Sequence, residues 1–146
     1  MACSVEYQGQ MFIIGGFYNV HRVSVVSECK LKYHATLPGG DDVQFFYHQC
    51  AVFNSHIWMC GRKHDDKSCY SYDGIELAEQ PSTNYTHERG GLVSARKTLV
   101  SIGGFTNKVE QLDQTGEEWI PFGADLTDVL NGFTTLVYND VIYVFG

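Results

Sequence analysis

The sequence predicts an all-β chain built from repeats of one four-strand unit. Three observations predict it. A short apolar segment ending in glycine recurs at near-constant spacing, turn-forming pairs sit at a fixed distance before it, and helical periodicity is nearly absent. The segments are Met11-Phe12-Ile13-Ile14-Gly15-Gly16, Ile57-Trp58-Met59-Cys60-Gly61-Arg62, Leu99-Val100-Ser101-Ile102-Gly103-Gly104 and Ile142-Tyr143-Val144-Phe145-Gly146. Their first glycines fall at 15, 61, 103 and 146, at intervals of 46, 42 and 43 residues. Chance similarity would not hold that spacing three times.

Upstream of each segment lies a short strand-like run: Cys3 to Tyr7, His48 to Phe53, Gly91 to Ala95 and Phe133 to Tyr138. The pairs that join run to segment are Gln8-Gly9, Asn54-Ser55, Arg96-Lys97 and Asn139-Asp140. Asn and Gly tolerate the positive φ angles of a two-residue hairpin, so each unit opens with a β-hairpin; Arg96-Lys97 is the weak case. Val23 to Ser27, Cys69 to Asp73 and Val109 to Asp113 read as third strands. Tyr33 and Trp119 follow two of these at six residues and belong on fourth strands; in unit two, Ile75 or Leu77 must fill that place. Only Asp125 to Asn131 offers a helical turn or two, with Gly132 as a stop. Four short strands per unit of about 43 residues is the signature of a propeller blade. The units run approximately 1–44, 45–88, 89–131 and 132–146, the last cut short, as one partial propeller.

These residues resemble the Kelch repeat. Gly15-Gly16, Gly103-Gly104, Tyr72-Asp73 and Trp119 match its pattern of a strand ending in paired glycines, a third strand closing on Tyr-Asp, and a later Trp. Asn139 to Gly146 looks like the start of a further repeat. Departures are Arg62 for a second glycine after Gly61, Tyr33 for Trp, and no aromatic on the fourth strand of unit two. A WD40 reading ranks well below, because no Trp-Asp or Gly-His dipeptide occurs. The fold expected is therefore an all-β, Kelch-type β-propeller, incomplete, with three blades and one hairpin. The paired glycines should lie where neighbouring blades crowd, and the fourth-strand aromatic should cover the blade. Propellers close with typically four to eight blades, so an open arc would expose two apolar faces. A fragment with the remaining blades missing is the reading this favours; association of two copies is the lesser alternative.

Composition bounds the function. The 146 residues are 44% hydrophobic, 14% aromatic and 18% charged, a globular rather than disordered mixture. A net charge of −7 argues against nucleic acid as a partner. No apolar run approaches the roughly 18 residues of a membrane helix, and no signal peptide is readable, so no membrane partner is expected. Five cysteines, at 3, 29, 50, 60 and 69, form no even framework. Reduced thiols and a cytoplasmic location are expected, with Cys60 and Cys69 the one local pair that strand pairing could bring together and Cys50–Cys60 excluded by alternation. The sequon Asn84-Tyr85-Thr86 carries little weight.

No nucleophile elbow, phosphate loop or dinucleotide fingerprint is present, and His48, Cys50, His56 and Cys60 split two and two across a hairpin. No catalytic residue, cofactor or metal is expected. Asp41-Asp42 and Asp65-Asp66 read as solvated turns. Protein binding is better motivated. Antiparallel order brings the second-to-third strand loops and the blade connections to one end. That end gathers Phe17, Tyr18 and Phe105 with Arg62, Lys63, His64 and Arg89, a mixture suited to protein recognition. The resemblance to Kelch propellers implies a substrate receptor of a ubiquitin-ligase adaptor or an actin-associated scaffold. An oxidase-type Kelch enzyme and an extracellular adhesion propeller are the alternatives.

Overall fold

The computed structural model describes residues 2–16, 18, 20–38, 45, 48–61 and 67–146. Fourteen strands run through them, in three four-stranded antiparallel sheets and one hairpin, each sheet ordered as in sequence. The first sheet holds β1 (Cys3–Tyr7), β2 (Gln10–Ile14), β3 (Arg22–Ser27) and β4 (Lys30–Thr36). The second holds β5 (Gln49–Phe53), β6 (His56–Cys60), β7 (Cys69–Tyr72) and β8 (Leu77–Gln80). The third holds β9 (Gly91–Ala95), β10 (Thr98–Ile102), β11 (Val109–Leu112) and β12 (Trp119–Pro121). The hairpin is β13 (Thr134–Tyr138) and β14 (Val141–Phe145). The first strands β1, β5, β9 and β13 lie side by side in succession, an arrangement consistent with propeller blades.

The turn pairs behave as their positions require. Gln8, Asn54, Ser55, Arg96, Lys97, Asn139 and Asp140 all adopt φ between 49° and 62°, and Gly9 lies at 74°. Arg96-Lys97 makes the same turn as the others, because the twist of the flanking strands selects positive φ even where the residues do not favour it. A further such turn, Glu28-Cys29 between β3 and β4, has φ of 54° and 58°. Among the described residues there is no helix. The span Asp125 to Asn131 forms bends instead of the helical turns expected. Its backbone bonds outward: Leu126 N–H donates to Asn107 O at 2.8 Å, and Leu130 O accepts from Gly104 N at 2.8 Å.

Strand alternation makes every inner sheet apolar on both faces. Between sheets one and two lie Cys3, Tyr7, Phe12, Ile14 and Val23 against Ile57, Met59 and Tyr72. Between two and three lie Ala51, Trp58, Cys60 and Cys69 against Leu92, Leu99, Leu112 and Trp119. Val93, Val100, Ile102 and Val109 meet Val137, Ile142 and Val144 of the hairpin. Leu77 fills the place of the missing aromatic in sheet two and packs into the first interface, whereas Ile75 is exposed.

Tyr33 departs from expectation. Trp119 is 4% exposed, but Tyr33 is 61% exposed, with the Arg22 guanidinium over its ring at 5.8 Å from the centroid. Its register row, Ser24 and Ile13, is the face turned away from sheet two, against which no sheet packs among the described residues. The glycines also need a refined account. Gly15, Gly61 and Gly103 each follow a second strand as expected, with Gly16 and Gly104 after two of them and Gly146 after β14. Connecting segments, more than the blades themselves, press on them. A Cβ at Gly15 (φ 67°) would lie 2.0 Å from Phe45 O, and one at Gly104 (φ 94°) would lie 2.6 Å from Glu88 O.

Two disulfides overturn the expectation of reduced thiols. Cys3 bonds to Cys50, with Cα atoms 5.9 Å apart, and Cys60 bonds to Cys69, with Cα atoms 4.2 Å apart. Cys29 is the free cysteine, and it is exposed. Cys60 and Cys69 face each other in the β6–β7 register. Cys3 and Cys50 lie on facing sides of sheets one and two, a proximity that only the fold creates. The exclusion of Cys50–Cys60 holds, since Cys50 is paired with Met59 and bonded elsewhere.

Trp119→Ala should destabilise the chain by about 3–5 kcal/mol and Tyr33→Ala by under about 0.5 kcal/mol, read from urea melts. Thiol titration in denaturant, without reductant, should find one reactive cysteine per chain. Opening the Cys3–Cys50 link by Cys50→Ser should cost about 4 kcal/mol on the chain-entropy estimate, against about 3 kcal/mol for the shorter Cys60–Cys69 loop.

Candidate loop-face interaction site

The β2–β3, β6–β7 and β10–β11 loops share one end of the sheets with the connections between sheets. Backbone bonds tie the two sets together. Gly16 N donates to Phe45 O at 3.0 Å, Leu37 N to His21 O at 2.7 Å, Thr83 N to Lys67 O at 2.9 Å, and Gly104 N to Leu130 O at 2.8 Å. The loop end is therefore a rigid rim rather than a set of independent loops.

On this rim Tyr18 is 91% exposed and Phe105 is 51% exposed. The Arg89 guanidinium sits over the Phe105 ring, 5.8 Å from its centroid. Arg89 comes from the connection into sheet three and Phe105 from the β10–β11 loop, so the fold joins two residues sixteen apart. Phe17, Arg62, Lys63 and His64 lie outside the described residues. A second aromatic–cation contact lies nearby, with Lys108 Nζ 5.7 Å from the Tyr85 ring centroid and 2.6 Å from Asp125 Oδ2.

Beneath the rim, a polar cluster anchors the connection 81–90. His87 and Glu110 are both fully buried, and His87 Nε2 lies 2.9 Å from Glu110 Oε1. His87 Nδ1 donates to Gly103 O at 2.7 Å, so both ring nitrogens face oxygen acceptors. Glu110 also accepts from Asn84 N, Asn84 Nδ2 and Tyr85 N at 2.8–3.0 Å. Burial pushes the Glu110 carboxyl up, but these hydrogen bonds outweigh it and hold the group below its usual range. Asn84 Nδ2 donates further to Trp119 O, and Trp119 Nε1 to Pro81 O at 2.8 Å. The sequon amide is thus engaged on both sides, and a glycan on it would displace these bonds. The sequence did hold a signal for this cluster: Glu110 shares strand parity with Leu112, which puts a carboxylate on a core face.

The Tyr72-Asp73 pair has a turn-building role. Tyr72 is buried, and its hydroxyl donates to Gly74 O at 2.7 Å. Asp73 accepts from Ile75 N and Glu76 N, closing the β7–β8 turn. Asp113 does the same in sheet three, accepting from Thr115, Glu117 and Glu118, and its carboxyl is held down at about 2, chiefly by the Thr115 hydroxyl.

A cavity of about 620 Å³ is at the opposite end, between the Arg96-Lys97 turn and the Asp113 turn, lined by Phe53, Leu112 and Ile120. Among the described residues no three His, Cys, Asp or Glu side chains gather as metal ligands would. No family model matches the chain, and no curated protein matches it in sequence.

His48 lies at the start of sheet two, buried, with neither ring nitrogen hydrogen-bonded among the described residues. Its ring packs edge-on against Phe45, with centroids 5.5 Å apart. Burial pushes its pKa down from 6.5 to about 3. The unfolded chain therefore takes up a proton near pH 6.5 that the folded chain refuses until about pH 3. Stability should fall by about 1.4 kcal/mol per pH unit below pH 6.5 from this group, and His48→Leu should remove that slope between pH 6.5 and 5. Glu110 adds its own loss at lower pH, since a depressed carboxyl stabilises the fold only above its unfolded pKa. Denaturant midpoints between pH 6.5 and 5 check the His48 slope, and midpoints at lower pH check the sign for Glu110.

Proposed function

We propose that this chain is a segment of a Kelch-type propeller that works as a non-enzymatic interaction module, docking a protein partner on its loop face. The motif residues support the Kelch reading: paired glycines after β2 and β10, Tyr72-Asp73 at the end of β7, and a buried Trp119 opening β12. The observation that carries the binding reading is the exposed aromatic pair, Tyr18 and Phe105, on a rim braced by backbone bonds, with Arg89 stacked on Phe105. Large rings held at low entropy beside an arginine are the residue types that dominate protein interfaces. By the same resemblance, roles as a ubiquitin-ligase substrate receptor or an actin-associated scaffold follow as proposals.

One observation favours a second reading, extracellular adhesion. The cytoplasmic expectation rested on reduced thiols, and that premise is gone. Two disulfides in a small domain suit an oxidising compartment.

The test is capture by the immobilised chain, compared with its variants. Tyr18→Ala with Phe105→Ala should weaken partner capture at least about tenfold with the melting point unchanged, while Lys97→Ala at the opposite end leaves capture intact. Equal loss from both, or none from the loop pair, refutes the loop-face assignment. Retained capture after reduction of both disulfides would count for the intracellular reading.

A further inference from the structure

We propose that His87 and Glu110 form a proton-operated latch. While the imidazole ring carries both its protons it pins connection 81–90 to sheet three, and loss of one proton releases that connection together with Arg89. The latch rests on hydrogen-bond geometry. Its effect on partner binding rests in addition on the loop-face reading.

The geometry fixes where the proton must be. His87 Nδ1 lies 2.7 Å from Gly103 O, and Nε2 lies 2.9 Å from Glu110 Oε1. A backbone carbonyl only accepts, so Nδ1 must donate to it. Glu110 takes three further N–H groups, Asn84 N and Asn84 Nδ2 on Oε2 and Tyr85 N on Oε1. Donors converging in this way favour the ionised carboxylate, which is acceptor-only. Nε2 must therefore donate as well. A ring that donates from both nitrogens is the imidazolium.

A neutral His87 does not fit this site. It has one N–H, so one nitrogen would turn a lone pair on an oxygen 2.7 or 2.9 Å away. Where that nitrogen is Nε2, Glu110 also becomes a buried charge without its counter-ion. Either way the ring has to move, and it has no room to turn in place. Both side chains are fully buried. The His87 main chain is clamped as well: a Cβ on Gly104 would lie 2.8 Å from His87 C and one on Gly61 3.2 Å from it, and Gln49 Nε2 donates to His87 O. The segment moves with the ring.

Arg89 is downstream of this event. Its carbonyl accepts from Gly132 N at 2.8 Å, and its guanidinium lies over Phe105. Its φ of 62° is a left-handed conformation that a non-glycine residue keeps only where its surroundings impose it. Opening the latch removes one of those restraints and uncouples Arg89 from Phe105. Among the described residues the titratable group that faces the ring is Glu110, on β11. The other elements packed on the segment present Gly103 O and Gly104 after β10, Gln49 on β5 and Gly61 after β6, none of which titrates. Glu88 and Arg89 follow His87 in the chain, and Lys108 and Asp125 pair with each other beside Tyr85. His48, next to Gln49, packs on Phe45 and stays neutral down to about pH 3.

The experiment is nuclear magnetic resonance on the isotope-labelled chain, disulfides intact, from about pH 5.5 to about pH 9. At the acid end both His87 ring nitrogens should carry protons. As the ring loses one, hydrogen exchange of the Asn84 and Tyr85 amides, corrected for its intrinsic pH dependence, should rise at least about tenfold at the same midpoint. The ring-current shift of the Arg89 side chain should collapse with it, while strand-centre amides such as that of Val100 do not follow. His87→Gln, which cannot be protonated, should leave the same amides fast at every pH; where circular dichroism shows that variant unfolded, the titration of the unsubstituted chain decides by itself. A ring already neutral at the acid end overturns the proposal. So does a ring that keeps both protons to the alkaline end, or amides that ignore its protonation. Partner capture should weaken across the same midpoint. Capture that stays flat while the amides loosen leaves the latch standing and counts against the loop-face reading.

Discussion

Each inner sheet of this chain must be apolar on both faces, and the rest of the structure depends on that constraint. A sheet with a neighbour on either side has no solvent face, so its strands lose the usual polar–apolar alternation. Ile57, Trp58, Met59 and Cys60 are all buried, Ile57 and Met59 toward sheet one and Trp58 and Cys60 toward sheet three. The same rule fixes what happens at the ends. Among the described residues no sheet lies against the outer faces of the first sheet and of the last hairpin, which is why Tyr33 and Phe145 are exposed at positions that are covered elsewhere.

The interface between sheets two and three is the exception to purely apolar packing, and it is where the loop face is set. Glu110 and Ser101 sit on the face toward sheet two, where the equivalent places are Ser24 and Ile13 in sheet one and Tyr70 and Met59 in sheet two. The connection 81–90 enters at that point. It presses on Gly61 from one side and Gly104 from the other, leaving no room for a side chain at Gly104. Gln49 Nε2 donates to His87 O, so sheet two also holds the segment. Polar groups buried this way add little net stability, but they fix one geometry because every alternative leaves a charge unpaired. Arg89 lies two residues beyond His87, so that fixed geometry delivers its guanidinium to Phe105.

How much of this was legible in the sequence varies with the range of the interaction. Hairpins were, because a two-residue turn is set by local φ and by the twist of two adjacent strands. Even Arg96-Lys97 could be placed by counting from Gly103. The helical turn expected at Asp125 to Asn131 failed for the converse reason: Leu126 and Leu130 bond to a loop some twenty residues earlier, and no local pattern announces that. The Cys3–Cys50 bond was invisible because it joins facing sides of different sheets, whereas Cys60–Cys69 could be singled out from one hairpin-like pairing. On the loop face, Arg89 and Phe105 are each legible as loop residues, but their stacking depends on the buried His87–Glu110 anchor, a long-range contact that no local pattern announces.

The interface between sheets one and two shows how neighbouring units are held in place. In a linear array each unit draws stability from its own fold and from its interfaces. This interface is fastened at both ends of the strands. At the loop end, Cys3 and Cys50 are covalently joined beside the start of β5. At the turn end, the Tyr7 hydroxyl donates to Ser55 O at 2.9 Å and lies 3.0 Å from Asp73 O, reaching two turns of sheet two. Between these points the contact is apolar and non-directional, and by itself would resist sliding weakly. Two anchors at opposite ends of a strand fix both the spacing and the pitch of neighbouring sheets. Tyr18 stands on sheet one while the stacked pair Arg89 and Phe105 stands on sheet three, so the spacing between Tyr18 and that pair on the loop face is inherited from those anchors.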